Sequence, residues 1–172
     1  MTLCEWPAVN TLTVCRFGSP WSAERALPRL RRLAGEGKLA VGDAALVSWP
    51  AGARKPSTTT LGTLVGPGEL WGGFWGVLFG LVFLAPIAGP AFGAAAGAFA
   101  GTLTDFGVDE DFVQEVRDQV TPGTSALFAL SNECAADLLA AHMSGPGTAV
   151  IRCALSPDHE RRLLAALGEE QR

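Results

Sequence analysis

Apolar and polar positions divide the chain into two patterned flanks around one stretch that is almost wholly apolar. In the first flank, Thr11-Leu12-Thr13-Val14-Cys15-Arg16-Phe17 alternates and is rich in β-branched residues, which predicts a strand ended by Gly18. Ser19 before Pro20 predicts a helix start, with the hydroxyl capping and proline at the first helical position. Ala26, Leu27, Leu30 and Leu33 continue at helical spacing; Pro28 is expected to bend this helix, and Gly35 and Gly37 to stop it. Residues 44–49 read as a second strand, apolar on both faces, closed by Pro50. The polar run 54–60 that follows has room for a short edge strand.

In the second flank, Asp105-Phe106-Gly107-Val108-Asp109 predicts a turn, with Asp109 capping a helix that carries Phe112, Val113 and Val116. Pro122-Gly123 breaks that helix. Residues 124–130 form a third strand of nearly continuous apolar character, and Asn132 caps a helix over 135–143. Gly145-Pro146-Gly147 turns the chain into a fourth, alternating strand over 148–155. Ser156-Pro157 then repeats the Ser-Pro start before a last helix over 158–167.

The middle stretch has no charged residue between Glu69 and Asp105, and glycine recurs there every fourth position. One run is Gly68, Gly72, Gly76 and Gly80; the other is Gly89, Gly93, Gly97 and Gly101. Four-residue spacing places each run on one helical stripe, where missing side chains let a neighbouring backbone approach closely. A glycine inside a helix costs about 1 kcal/mol against alanine, so helix–helix contact must offset the penalty of eight. The expectation is a packed helical hairpin bent at Pro86 and Pro90. Limbs over 70–85 and 87–104 would be roughly 24–27 Å long, slightly under the ~30 Å apolar core of a bilayer. A tight crossing, a half-inserted hairpin and a bundle shared among copies in water all remain open on length alone.

With the hairpin set aside, the order is β-α-β, helix, β-α-β, helix. The economical fold is α+β, a ferredoxin-like split β-α-β with a four-stranded sheet in order 4-1-3-2 and helices on one face. The ferredoxin-like domain is then discontinuous, 1–65 and 105–172, and the apolar helical hairpin is inserted at 66–104. Strands two and three are apolar on both sides, so the opposite sheet face needs cover from a second subunit or from the extra helices.

Composition sharpens this division. The chain is 48% hydrophobic with a mean hydropathy of +0.26, concentrated in the uncharged window, and its net charge is −4. Residues 1–69 hold eight Lys/Arg and five Asp/Glu, against five and twelve in 105–172. No basic run is interleaved with aromatics, which excludes nucleic acid as the expected partner. Arg29, Arg31 and Arg32 form a small basic patch, read as a solvated helix face rather than a lipid contact. Cys4, Cys15, Cys134 and Cys153 show no metal-ligand spacing; with Glu5 and Pro7 interrupting any leader-like run, free thiols in a reducing cytoplasm are expected.

No constellation carries catalysis. The glycines at 62, 66 and 68 lack the lysine of a phosphate loop, and Asp105-Phe106-Gly107 stands without any other kinase element. His142 and His159 fall on different helices. Asp105, Asp109, Glu110, Asp111 and Glu115 lack the ligand order of a calcium loop and suit a helix N-terminus. Cys15 and Cys153 are placed on neighbouring strands, as two core thiols ahead of a redox pair. Trp71 and Trp75, with Trp49 before them, fit an aromatic belt at a membrane interface and a protein core equally. No cofactor and no metal site is indicated.

Leu70-Trp71-Gly72-Gly73, the glycine run 89–101, residues 105–112 and residues 122–128 resemble a family of small bacterial proteins described as uncharacterised membrane proteins, a domain of unknown function with a glycine-rich hairpin. The resemblance covers 68–132 and implies a membrane assignment and no catalytic residues. The expected function is non-enzymatic: self-association through the glycine stripes, with the hairpin engaging a bilayer or sister hairpins. The domain then sits at the cytoplasmic side of the membrane, or free in the cytoplasm as a soluble cage or ring. A pore and a small-molecule-binding dimeric module are the alternatives from other classes.

Overall fold

A computed structural model describes residues 11–36, 41–60, 75, 78–84 and 107–155. In these, β1 (Thr11–Phe17) leads to α1 (Ser22–Gly35), β2 (Val41–Trp49) and the short β3 (Ser57–Thr60). A π-helical turn (Gly80–Leu84) follows, then α2 (Glu110–Gln119), β4 (Thr124–Ser131), α3 (Glu133–Met143) and β5 (Ala149–Ala154). The described strands form one antiparallel sheet in the order β3-β2-β4-β1-β5. Five described strands, not four, make this α+β sheet. The additional member is β3, the short edge strand for which the polar run 54–60 has room, and among the described strands it pairs with β2 alone.

The strand pattern assigns side chains to two faces. On one, Leu12 and Val14 of β1, Ala45 and Val47 of β2 and Ala126, Phe128 and Leu130 of β4 are buried with Phe112, Val113 and Val116 of α2 and with Trp75, Leu78, Phe79, Val82 and Phe83. On the other, Cys15 and Phe17, Ala44, Leu127 and Ala129 meet Leu30 and Leu33 of α1 and Ala135, Leu139 and Met143 of α3. Every residue of β4 from Ser125 to Ser131 is buried, which explains its unbroken apolar sequence. Cover for the second face, left open between a partner and extra helices, comes from α2 and the described part of the apolar stretch.

The caps of α2 and α3 are those read from the sequence. Asp109 accepts from the Phe112 backbone N–H at 2.8 Å, and Asn132 from that of Ala135 at 2.8 Å. The start of α1 differs. Ser19 and Pro20 form a turn outside the helix, where the Ser19 hydroxyl accepts from the Trp21 N–H at 3.2 Å. The helix begins at Ser22, because the hydroxyl of Ser125 on β4 accepts from the Ala23 N–H at 3.0 Å and donates to the Ser19 carbonyl at 2.6 Å. Ser48, paired with Ser125 across β2 and β4, donates to the Pro20 carbonyl at 2.8 Å. Ser125 thus does what an N-cap side chain does elsewhere, while Ser48 ties down the turn ahead of the helix. Between α2 and β4, Gly123 takes φ +90°, the left-handed conformation that glycine adopts freely, and its N–H reaches the Trp49 carbonyl.

Candidate functional site

The described part of the uncharged stretch is the natural place to look for function. Trp75, Leu78, Phe79, Val82 and Phe83 fall at i, i+3, i+4, i+7 and i+8, one face of a helix, and all are buried in the core shared with the sheet. Trp75 is 1% exposed: it stacks on Phe79 with centroids 5.5 Å apart and meets Phe128 of β4 edge-on at 6.3 Å. Phe79 meets Phe128 at 5.1 Å, and Phe83 meets Trp49 at 5.9 Å. Of the two readings of Trp75, the structure places the ring in the core. Full burial of each such side chain contributes about 1.5–3 kcal/mol. Stripping five from the sheet would cost on the order of 10 kcal/mol, comparable with the whole net stability of an ordinary domain.

The π-helical turn at Gly80–Leu84 opens the backbone ladder of this limb, and Arg117 of α2 answers it. Its guanidinium donates to the Leu81 carbonyl at 2.8 Å and the Val82 carbonyl at 3.3 Å. Carbonyls that a helix would leave without donors in an apolar setting thereby gain charged ones. The one signal the sequence offers for this contact is that Arg117 is the lone basic residue of an otherwise acidic helix. Gly80 is buried at the start of this turn. Gly68, Gly72, Gly76, Gly89, Gly93, Gly97, Gly101 and Trp71 lie outside the described residues, as does the expected helix over 158–167.

Cys15 pairs with Val150, and Cys153 with Leu12, on the neighbouring strands β1 and β5. Being three residues out of register, the two cysteines point to opposite faces, so they do not form a redox pair. Both are free. Burial pushes the Cys15 thiol from its ordinary 9.0 up to about 12. Burial, and then the nearby Asp109 carboxylate, push Cys153 up to about 11. Thiols so raised are poor nucleophiles at neutral pH. The expectation of four free thiols is corrected at Cys134, which is disulfide-bonded.

Among the described residues, no group of three His, Cys, Asp or Glu side chains is placed to hold a metal ion, and no helix is long and apolar enough to cross a membrane. A cavity of about 400 Å³ opens between α1 and the β2–β3 edge, lined by Glu24, Leu27, Arg31, Leu46, Ser57 and Thr59. Its two charged residues are both exposed on α1, and the rest of its polar lining is the hydroxyls of Ser48, Ser57 and Thr59.

Residues 69–168 match the family model described as "Protein of unknown function (DUF1269)". The match takes in the uncharged stretch, α2, β4, α3 and β5, beyond the window 68–132 that carries the resemblance in the sequence, and its description names no membrane. No curated protein and no solved structure matches the chain significantly.

Proposed function

The chain belongs to this family of unknown function, and from that premise we propose that it is a non-enzymatic, self-associating protein assembled through its glycine-striped hairpin. The observation that carries the reading is the fourfold recurrence of glycine at every fourth position in each limb of the uncharged stretch; Trp75, Leu78, Phe79, Val82 and Phe83, buried against the chain's own sheet, anchor the first limb to the domain. One face of the uncharged stretch is thereby committed to the folded domain. The glycine stripes read from the sequence are then the means by which the hairpin packs on itself and on sister subunits. Within this reading the four longer strands, in order β2-β4-β1-β5 with α1 and α3 on one face, are a ferredoxin-like unit with β3 added at its edge.

Gly93→Leu with Gly97→Leu tests it. Overpacking of the stripe should lower the oligomer mass measured by light scattering while the far-ultraviolet spectrum is kept. An unchanged mass would show that the stripe is no contact.

A second reading, association with the cytoplasmic side of a bilayer, is favoured by the uncharged window between Glu69 and Asp105. Fractionation separates the two. Recovery only with detergent supports the bilayer, whereas a detergent-free oligomer in the soluble fraction supports assembly among copies.

A further inference from the structure

The helices on the two sides of the sheet carry opposite charge in matching patterns. Helix α1 has four arginines and one glutamate; α2 has four carboxylates and one arginine. On α1 the side chains of Arg25, Arg29 and Arg32 are exposed, at i, i+4 and i+7 on one stripe. On α2 Asp111, Glu115 and Asp118 are exposed at the same spacing, i, i+4 and i+7. Each stripe spans roughly 10 Å along its helix axis. The single arginine of α2, Arg117, is turned inward onto the Leu81 and Val82 carbonyls and leaves the outer face acidic. Among the described residues no ion pair joins either stripe to another side chain; Arg29 donates to the His142 carbonyl at 3.0 Å and Asp118 accepts from Gln114 at 2.9 Å.

Building on the self-association reading above, we propose that α1 of one copy docks on α2 of a second copy, the arginine stripe facing the carboxylate stripe. Set antiparallel, Arg25 meets Asp118, Arg29 meets Glu115 and Arg32 meets Asp111. Because α1 covers one sheet face and α2 the other, the two patches lie on opposite sides of the molecule. The contact is therefore heterologous. Each copy presents one patch of each sign, and repetition gives a ring where the rotation closes or a filament where it does not. Like patches repel, which excludes face-to-face pairing through either helix alone and sets the direction of assembly. Contacts of this kind lie within reach of salt, with a screening length of about 8 Å at physiological ionic strength, so the assembly dissociates as salt rises.

The test uses two variants of the full chain, Arg25→Glu with Arg32→Glu and Asp111→Lys with Asp118→Lys, measured by sedimentation velocity at 50 and 500 mM salt. At low salt each variant alone should sediment as a smaller species than the wild type, which should itself shift down at high salt. An equimolar mixture of the two should regain the larger species, because the reversed α1 of one complements the reversed α2 of the other. Recovery on mixing also shows that both variants are folded. If each variant alone keeps the wild-type mass, or if the mixture stays as dissociated as its components, α1 does not dock on α2; an oligomer that persists in that case leaves the hairpin contact standing. A wild type that is monomeric at 50 mM salt overturns both.

Discussion

The residues that decide most in this fold are small and polar or large and aromatic, and each acts through a specific neighbour. Ser125 holds the start of α1 by accepting from Ala23 and donating to Ser19. Ser125→Ala leaves that N–H without its buried acceptor, and a loss of about 1–3 kcal/mol is expected in urea denaturation. Phe79 touches Trp75, Phe83 and Phe128 at once; Phe79→Ala should cost about 3–5 kcal/mol, and a loss under 1 kcal/mol would contradict its place in the core. Cys15, fully buried, keeps its proton in the folded state well above the pH at which an unfolded thiol loses it. The unfolded chain therefore releases a proton that the native chain retains. The stabilising contribution is complete below about pH 9 and falls as pH rises toward 12. Cys15→Ala should flatten that alkaline decline in a pH series of urea midpoints.

At the scale of elements, Arg117 ties α2 to the first limb of the apolar stretch. Arg117→Met keeps the length of the side chain and removes the donors. Faster hydrogen exchange is expected over residues 78–84, with β1 and β4 amides still protected; uniform exchange across all of them would mean that the arginine supports the whole fold and not this joint. The same elements show what a sequence discloses. β1, β2, β4 and β5, and the caps Asp109 and Asn132, were legible because alternation and capping are local properties. The start of α1 was displaced by two residues, because its first donor is met by Ser125, about a hundred positions away. β3 was legible only as room for a short edge strand in 54–60, because an entirely polar run carries no periodic signal. The stripe Trp75, Leu78, Phe79, Val82, Phe83 was present at helical spacing, but in a stretch apolar all round nothing marks which face turns inward. The Arg117 contact depends on a π-helical turn that no local residue preference announces.

For the whole molecule, an antiparallel sheet covered on both faces accounts for the apolar strands β2 and β4 without a partner at the sheet. What remains for a partner is the glycine-striped hairpin, proposed as the assembly element, and the opposite charges of α1 and α2, proposed to set its direction. The membrane and assembly readings diverge on one property, whether the protein associates in water. Sedimentation velocity of the wild-type chain, purified from the soluble fraction without detergent at low salt, tests this most directly. The expected result is a discrete species of several chains; a monodisperse monomer across the accessible concentration range would contradict it.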